Sequence, residues 1–257
     1  MNATADSIGH AGYSLAGRLR IGARIAAMLL LLLACVPLYY IWRGLRLHNP
    51  WPRHFLGGIA WIAGARVRTL GQPAPKGAFF LANHVSWLDI PVISGVTGSA
   101  FVAHSGLADH GALKWLCDMN DTVFVARHER RSVHSQVEAV RAALSDTGAL
   151  TVFPEGTTSD GSALLPFKSS LLSALDPPPP GIALQPVWLD YGPDVAAMAW
   201  VGEEPGMDNF LKILARRGRQ PVTVHFLAPL TAEESAGRKT MAAAARARIL
   251  EAMTRNR

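Results

Sequence analysis

The sequence has little cysteine, and this scarcity narrows the kinds of site that the protein can hold. Of its 257 residues only two are cysteine, namely Cys35 and Cys117. Two cysteines so far apart give no metal-site spacing and no basis for a disulfide framework. The sequence also has no Gly-x-Ser-x-Gly turn around a serine, no nucleotide-binding glycine fingerprint and no internal repeat. We therefore expect no bound metal, no tightly bound cofactor and no serine nucleophile of the hydrolase type.

Acidic residues are in the minority, and this imbalance bears on the partners of the protein. Lysine and arginine number 25 against 19 aspartate and glutamate residues, which gives a net charge of +6 and a pI near 9.7. A basic protein suits either nucleic acid or an anionic lipid surface. The mean hydropathy of +0.17, with 49% hydrophobic residues, favours the anionic membrane surface, and we expect no nucleic-acid partner.

Charge is absent from one long run near the amino terminus. The 18 residues from Ile25 to Trp42 carry no charged side chain, and this length is near the lower limit for a helix that spans a bilayer. Arginine lies on both sides of the run, so the positive-inside rule gives no orientation. A segment that enters and leaves by the same face of the membrane is the alternative. A cleaved lipoprotein signal ending at Cys35 is disfavoured, because the apolar run continues beyond that residue.

The order of patterns along the chain predicts one domain behind a membrane anchor. We interpret residues 1–24 as a basic N-terminal segment and residues 25–70 as a membrane helix followed by an amphipathic interfacial segment. For the stretch from Phe55 to Leu70 a core helix is the alternative. From residue 71 to residue 257 short β-branched or aromatic runs alternate with longer helical ones, which predicts a single domain of the α/β class.

Seven runs are predicted to be strands: Ala78–Leu81, Ala100–Ala103, Thr122–Val125, Leu150–Phe153, Ile182–Leu189, Met198–Val201 and Val222–Leu227. The expected fold is therefore α/β, a single domain with a largely parallel mixed sheet flanked by helices and preceded by an N-terminal membrane-anchoring helix.

A histidine and an aspartate five residues apart follow the first predicted strand. His84 and Asp89 stand directly after the apolar run Ala78–Leu81. A neutral imidazole can take a proton from an alcohol, and a carboxylate on its other nitrogen fixes the tautomer and stabilises the imidazolium that forms. Since no serine motif is present, the activated hydroxyl is expected to belong to a substrate. The alternative is a helix start, in which Asn83 or Ser86 caps the backbone and Asp89 favours the helix dipole.

Three further segments follow in a family-specific order. Residues 122–127 read Thr-Val-Phe-Val-Ala-Arg and form an apolar strand that ends on Arg127. Residues 152–159 read Val-Phe-Pro-Glu-Gly-Thr-Thr-Ser and end another strand in a turn, while residues 184–187 interrupt a third strand with proline. Together with His-x4-Asp, these segments resemble the four motifs of the glycerolipid acyltransferase family, which acylates glycerol phosphate and lysolipids. The resemblance extends from about residue 77 to about residue 189.

The resemblance implies a role for each motif. His84 is expected to be the general base that removes the proton from a lysolipid hydroxyl as it attacks an acyl thioester, and Asp89 is expected to orient His84. Arg127 is expected to bind the acceptor headgroup, with a surface arginine as the alternative. The expected substrate-binding turn comprises Glu155, Gly156, Thr157 and Thr158, in which Glu155 holds an acceptor hydroxyl. A turn without a binding role is the alternative.

One position departs from the pattern of lysophosphatidic acid acyltransferases, which typically read Phe-Pro-Glu-Gly-Thr-Arg-Ser. Thr158 stands where the arginine is well placed to meet a phosphate monoester. Loss of such a charge-assisted contact removes about 1.5–3 kcal/mol, although Lys168 or Arg127 could supply the charge. The segments 159–161 and 165–168 also resemble the bacterial lyso-ornithine lipid enzymes. We therefore place lyso-ornithine lipid ahead of lysophosphatidic acid as the expected acceptor.

The expected function is that of a membrane-bound O-acyltransferase with a lysolipid acceptor. The expected donor is an acyl-carrier protein thioester or acyl-CoA, and both donors are cytoplasmic. We accordingly expect the bacterial inner membrane, with the active site facing the cytoplasm. The alternatives are a 1-acylglycerol-3-phosphate acyltransferase that makes phosphatidic acid, a lipid hydrolase that uses water as the acceptor, and a non-catalytic lipid-binding membrane protein.

Overall fold

A computed structural model describes residues 12–75, 77–104, 111–125, 138, 142–144 and 147–256 of the protein. Its helices are α1 (Leu15–Gly44), α2 (Trp51–Ala63), α3 (Asp89–Thr97), α4 (Gly111–Met119), α5 (Val195–Met198), α6 (Gly206–Ala215) and α7 (Arg238–Arg255). Its strands are β1 (Ala65–Leu70), β2 (Ala78–Ala82), β3 (Ala100–His104), β4 (Val123–Val125), β5 (Ala149–Val152), β6 (Ala183–Asp190) and β7 (Gln220–Phe226). Two 3₁₀ helices cover Ser169–Leu175 and Gly192–Asp194.

The described strands form one mixed sheet in the order β1-β7-β6-β2-β5-β3-β4. Five of its six neighbouring pairs are parallel, and the pair β6–β7 is antiparallel. The predicted α/β fold with a largely parallel mixed sheet and flanking helices is therefore confirmed. Strand β2 lies in the middle of the sheet and all five of its residues are buried, because helices and loops cover both faces of a parallel sheet.

Successive residues of β2 point into different cores. Phe80 packs in a cluster with Val92 of α3 and Ile213 of α6. Phe79 packs in a separate cluster with Leu172 and Met241. This alternation follows from the two-residue period of a strand, and both faces of β2 are therefore apolar.

Six of the seven predicted strands are present, with ends shifted by no more than two residues. The strand predicted over Met198–Val201 is wrong, since this apolar run begins at the end of α5 and continues as coil. The backbone N–H of Trp200 donates to the carbonyl of Val85 at 2.9 Å. The run is therefore held by the loop after β2 and not by a neighbouring strand.

The helix considered for Phe55–Leu70 is wrong over its second half. Helix α2 ends at Gly64, which has a φ of 103°, a left-handed conformation that suits glycine. Beyond it, β1 pairs in parallel with β7 from Ala65 opposite Gln220 to Leu70 opposite His225. Residues 65–70 thus belong to the sheet, and we propose that the α/β domain begins at Ala65 and not at residue 71.

Helix α1 is longer than the uncharged run that predicted it. Its 30 residues correspond to a length of about 45 Å at 1.5 Å per residue. Ser14 caps its amino terminus by accepting a hydrogen bond from the backbone N–H of Gly17. Residues 15–24, expected within a separate basic segment, form the first turns of this helix. Among the described residues, α1 is the one helix that is long and apolar enough to cross a membrane.

Both ends of α1 contact the rest of the protein. Near its amino terminus Arg20 and Arg24 donate hydrogen bonds to the last carbonyls of α6, with Arg24 reaching Leu214 at 2.9 Å. A cation at a helix carboxyl terminus is stabilised by the unpaired carbonyls there. Near its carboxyl terminus the hydroxyl of Tyr40 accepts a hydrogen bond from the indole of Trp115 in α4. Helix α1 therefore lies along the domain and does not project from it.

Helices α2 and α3 cross at a pair of glycines. A Cβ placed on Gly95 of α3 would lie 2.6 Å from the Cα of Gly57 in α2, a distance that no side chain can accept without movement of the helices. The crossing brings the two backbones together and fixes the position of α3. This matters for the site because α3 begins at Asp89.

Candidate active site

His84 and Asp89 form a direct side-chain contact. The Nδ1 atom of His84 lies 2.8 Å from Oδ2 of Asp89, and the side chains are 17% and 0% exposed respectively. His84 stands in the loop after β2, and Asp89 is the first residue of α3. Because a carboxylate only accepts hydrogen bonds, it places the ring hydrogen on Nδ1 and leaves Nε2 as the basic nitrogen.

The carboxylate of Asp89 also closes the turn that carries His84. Its Oδ2 atom accepts hydrogen bonds from the backbone N–H groups of Val85 at 2.6 Å and Ser86 at 2.9 Å. Its Oδ1 atom accepts one from the hydroxyl of Tyr191 at 2.5 Å. Four donors thus surround one buried carboxylate, which offsets the desolvation that a buried charge otherwise suffers.

Of the alternative interpretation, a capped helix start, only one part is present: Asp89 stands in the first turn of α3, but no side chain caps the helix. Leu88 occupies the position before α3 and provides no side-chain cap. Asn83 instead bonds to the neighbouring strand β6, where its amide donates to the carbonyl of Leu189 at 3.1 Å and accepts from its N–H at 2.7 Å. Ser86 accepts from the N–H of Leu88, which lies outside the helix. The polar residues of the motif therefore build the loop around His84.

The ring of His84 is fixed from a second direction by Phe153. The two ring centroids are 4.1 Å apart with an interplanar angle of 13°, so the rings stack. Phe153 directly follows β5, which is the neighbour of β2 in the sheet. Stacking and the bond to Asp89 together hold the imidazole in one orientation, which is what proton transfer to a defined nitrogen requires.

Glu155 is buried against the backbone of His84. It is 1% exposed, and its two oxygens accept hydrogen bonds from the backbone N–H groups of His84 at 2.7 Å and Leu165 at 3.0 Å. Burial raises the pKa of the Glu155 carboxyl from 4.5 to about 7, while the two backbone hydrogen bonds oppose the increase. Both oxygens are used internally, so the geometry favours positioning of the His84 loop over the expected contact with an acceptor hydroxyl.

Ser159, four residues after Glu155, bonds to the backbone carbonyl of His84. The N–H of Ser159 donates to the carbonyl of His84 at 2.8 Å, and its hydroxyl donates to the same oxygen at 3.2 Å. Glu155 and Ser159 therefore hold the backbone N–H and the backbone carbonyl of His84. Separate motifs of the sequence are joined here through backbone hydrogen bonds.

The remaining predicted positions of this turn lie beside these contacts. Gly156 has a φ of 69°, and a Cβ at this residue would lie 3.1 Å from Nζ of Lys168, so glycine is favoured on both grounds. Thr157 is exposed. Thr158 is half-buried and its hydroxyl donates to the carbonyl of Trp200 at 2.5 Å. Arg127 lies outside the described residues, and its role as a headgroup ligand stays a prediction.

Tyr191 is the site residue that the sequence did not single out. It directly follows β6, which pairs with β2 on the side opposite to β5. The available signal was a polar aromatic residue at the carboxyl end of a buried strand, an edge where functional groups gather in open α/β sheets.

In the part of the chain that the structure describes, no group of three or more histidine, cysteine, aspartate or glutamate residues is arranged to hold a metal ion.

Comparison with known proteins decides the family of the chain. A sequence model described as Acyltransferase matches residues 66–190. The lyso-ornithine lipid O-acyltransferase of Brucella abortus is 33% identical over 246 residues, which cover 88% of this chain and 91% of that protein. The protein belongs to the acyltransferase family. The expected resemblance is thereby confirmed, and the protein is an acyltransferase.

Other relatives extend this comparison. A lyso-ornithine lipid O-acyltransferase of Rhodobacter capsulatus is 31% identical to this acyltransferase over 260 residues, with 93% of this chain and 92% of that protein covered. A 1-acyl-sn-glycerol-3-phosphate acyltransferase of Neisseria gonorrhoeae is 40% identical over 111 residues, which are 42% of this chain and 44% of that protein. The crystal structure of the 1-acyl-sn-glycerophosphate acyltransferase of Thermotoga maritima has a TM-score of 0.57 at 20% identity, covers 91% of this chain and 98% of its own, and supports the fold.

The environment of Glu155 predicts a pH dependence of stability. Because its pKa is raised to about 7, the folded acyltransferase disfavours the carboxylate, and the stability that this group contributes is lost as the pH rises through about 7. Between about pH 5 and pH 8 the melting temperature of the wild type should fall relative to that of Glu155→Gln. The exposed Glu233→Gln variant is the control and should follow the wild type. Parallel curves for the wild type and Glu155→Gln would contradict the assigned environment.

Proposed function

We propose that the acyltransferase moves an acyl chain from a thioester to the free hydroxyl of a lysolipid, with lyso-ornithine lipid as the leading acceptor. The observation that carries this proposal is the 2.8 Å contact between His84 and Asp89, in a chain similar over about nine tenths of its length to lyso-ornithine lipid O-acyltransferases. Among the described residues, the ring of His84 bonds to Asp89 and to no serine or cysteine side chain. Direct attack by the acceptor hydroxyl is the reaction that this arrangement favours.

The proposed reaction forms one C–O bond, breaks one C–S bond and transfers one proton through His84. Nε2 of His84 takes the proton of the lysolipid hydroxyl as the oxygen attacks the thioester carbonyl, and Asp89 stabilises the imidazolium. The tetrahedral oxyanion collapses, the C–S bond breaks, and the departing thiolate receives the proton from His84. The products are an ester and a free thiol, and no acyl-enzyme intermediate is needed.

An apolar cavity behind the catalytic pair supports an acyl-chain substrate. The cavity has a volume of about 200 Å³ and lies between α1, α2, α3 and α4. Its wall includes Ile90, the neighbour of Asp89, and Phe101. The ring of Phe101 stacks on Phe153 at 6.0 Å, and Phe153 stacks in turn on His84. We propose that this cavity receives an acyl chain whose reacting end lies near His84.

Thr158 supports an acceptor that depends little on a phosphate monoester. Its hydroxyl is engaged with the carbonyl of Trp200, so the position contributes an internal hydrogen bond and no positive charge. The second candidate acceptor is lysophosphatidic acid. It is favoured by the likeness to the Neisseria gonorrhoeae enzyme and by the ammonium group of Lys168, which lies beside Gly156 in the same turn.

A change of charge at position 158 tests the choice of acceptor. Membranes containing the protein receive one labelled acyl thioester, as acyl-carrier protein or acyl-CoA, with lyso-ornithine lipid and lysophosphatidic acid in separate reactions. The wild type should acylate lyso-ornithine lipid faster. Thr158→Arg should move the preference toward lysophosphatidic acid by about tenfold to a hundredfold, because a charge-assisted contact to phosphate contributes about 1.5–3 kcal/mol. The control Thr240→Arg adds the same charge on the exposed start of α7.

The same assay separates the competing functions. A wild type that prefers lysophosphatidic acid would overturn the acceptor while retaining the catalytic pair. Equal consumption of thioester without an acceptor would indicate a hydrolase, and absence of turnover with every donor and acceptor would favour a lipid-binding protein. A melting curve for each variant shows whether loss of the bond to Trp200 affects the fold.

The outer face of α1 supports a membrane surface as partner. Large apolar side chains are exposed along this face at Leu15, Leu19, Leu29, Leu30, Leu33 and Ile41. Because both ends of α1 contact the catalytic domain, a helix that crosses the bilayer would draw the domain into the lipid. We therefore propose that α1 lies along the cytoplasmic surface of the bacterial inner membrane with this face in one leaflet, as interfacial helices do.

Basic and aromatic side chains fit this placement. Trp61 is 63% exposed, and the guanidinium of Arg219 lies 4.8 Å from its ring centroid, a combination typical of the headgroup region. At the other end of α1 a polar cleft includes Arg43, Arg46 and Arg53. Both ends of the helix thus present positive charge to an anionic surface.

Thiol labelling tests the orientation of α1. Single cysteines replace the exposed residues Arg18 and Arg46, one at a time, in a protein whose native Cys35 and Cys117 have been changed to alanine. A membrane-impermeant thiol reagent should label both positions in inverted inner-membrane vesicles and neither in right-side-out vesicles. Labelling of one position in each kind of vesicle would show that α1 crosses the membrane. Detergent-treated vesicles provide the control, because both cysteines should then react.

A further inference from the structure

Tyr191 connects the catalytic pair to the centre of the sheet. It is 1% exposed, and its hydroxyl donates to Oδ1 of Asp89 at 2.5 Å. We propose that Tyr191 is a positioning residue of the catalytic pair, whose hydroxyl sets the orientation of Asp89 and, through it, the readiness of His84 to accept a proton. This inference rests on the proposed function, in which His84 is the general base.

The two oxygens of Asp89 have different kinds of partner. Oδ2 is held by three donors from its own turn, which are the ring of His84 and the N–H groups of Val85 and Ser86. Oδ1 is held by Tyr191, which is 102 positions away in the sequence. Local contacts therefore fix one oxygen, and the contact from β6 fixes the rotation of the carboxylate about its side-chain axis. Both constraints are needed to aim Oδ2 at Nδ1 of His84.

The backbone of Tyr191 is itself tied to the sheet. Its carbonyl accepts a hydrogen bond at 2.8 Å from the side-chain amide of Gln220, the first residue of β7. Two positions earlier, Leu189 exchanges hydrogen bonds with the amide of Asn83, next to His84. The phenol therefore approaches Asp89 from a rigid strand that is also bonded to the His84 loop, which is the kind of support that positions a catalytic group.

Tyr191 can act only as a donor in this contact. Complete burial, followed by the adjacent charge of Asp89, raises the pKa of the phenol well above its ordinary value. The hydroxyl thus keeps its proton throughout the range in which a histidine base works. A donor to a carboxylate makes a charge-assisted hydrogen bond, which is shorter and stronger than a neutral one.

This bond has a predictable effect on His84. Among the described residues, the titratable groups bonded to the His84 loop are Asp89 on α3 and Glu155 after β5, and Tyr191 after β6 bonds to Asp89. The phenol draws negative charge toward Oδ1 and so limits the stabilisation of the His84 imidazolium by Oδ2. Removal of the hydroxyl leaves more negative charge beside the imidazole, which favours the imidazolium. The neutral base is then lost at a higher pH.

The substitution Tyr191→Phe removes the hydroxyl and retains the ring. The expected result is a lower kcat with little change in KM for the lysolipid, together with an acid limb of kcat/KM that moves to higher pH by about one unit. Because Glu155 itself titrates at about 7, the comparison is repeated in a Glu155→Gln background, where the same shift should occur. Tyr13→Phe is the matched control, since Tyr13 precedes α1 and lies outside the site.

Two further measurements test whether Tyr191 positions the catalytic pair. Site-specific 3-fluorotyrosine at position 191 makes the phenol a stronger donor, so the acid limb should move to lower pH. Titration of the His84 imidazole by NMR reads the same shifts without any acyl transfer, which separates failure of this inference from failure of the proposed function. An unchanged His84 titration in folded Tyr191→Phe, or a shift to lower pH, would overturn the positioning role and leave Tyr191 as a packing residue.

Discussion

The buried carboxylate of Asp89 is the constraint on which the rest of the site depends. An unpaired carboxylate in this position would cost several kcal/mol, and the structure meets that cost with four hydrogen-bond donors. Three of them come from the turn that carries His84, so the chain segment that needs the carboxylate also folds around it. The ionic state of Asp89 and the shape of the loop are therefore maintained together.

The strand order explains why distant parts of the sequence meet at this carboxylate. Strands β5 and β6 are the two neighbours of β2, and both run parallel to it. The carboxyl ends of parallel strands lie at one edge of the sheet. Glu155 after β5 and Tyr191 after β6 thus approach the His84 loop from opposite sides. The close crossing of α2 and α3 at Gly57 and Gly95 then holds α3 in place beneath this edge.

The sequence predicted the parts of the site that depend on local spacing. The pairing of His84 and Asp89 follows from a separation of five residues across one turn, and the acyltransferase family followed from motifs in a fixed order. The role of Glu155 was less accessible, because its partner is a backbone N–H 71 positions away. Tyr191 was missed for the same reason, since its contact with Asp89 depends on which strands are neighbours.

The predictions of secondary structure were wrong where an apolar pattern fits more than one kind of element. The stretch after Ala63 has alternating basic and apolar residues that suit either an amphipathic helix or an edge strand, and Gly64 with its left-handed backbone decides for the strand. In the run Met198–Val201, Met198 and Ala199 are buried and Val201 is 43% exposed, while the backbone of Trp200 bonds to Val85 in the loop after β2. In both cases the apolar pattern does not identify the secondary structure that the residues form.

The central claim is that His84 takes the proton from the acceptor hydroxyl. Its most direct test is the rate of acyl transfer by purified wild type and His84→Ala with one thioester donor and one lysolipid acceptor, beside the exposed control His48→Ala. Loss of a general base predicts a fall in kcat of about 10²–10⁴-fold in a variant that still folds, and a control that matches the wild type. A folded His84→Ala protein that transfers acyl chains at the wild-type rate would contradict the account.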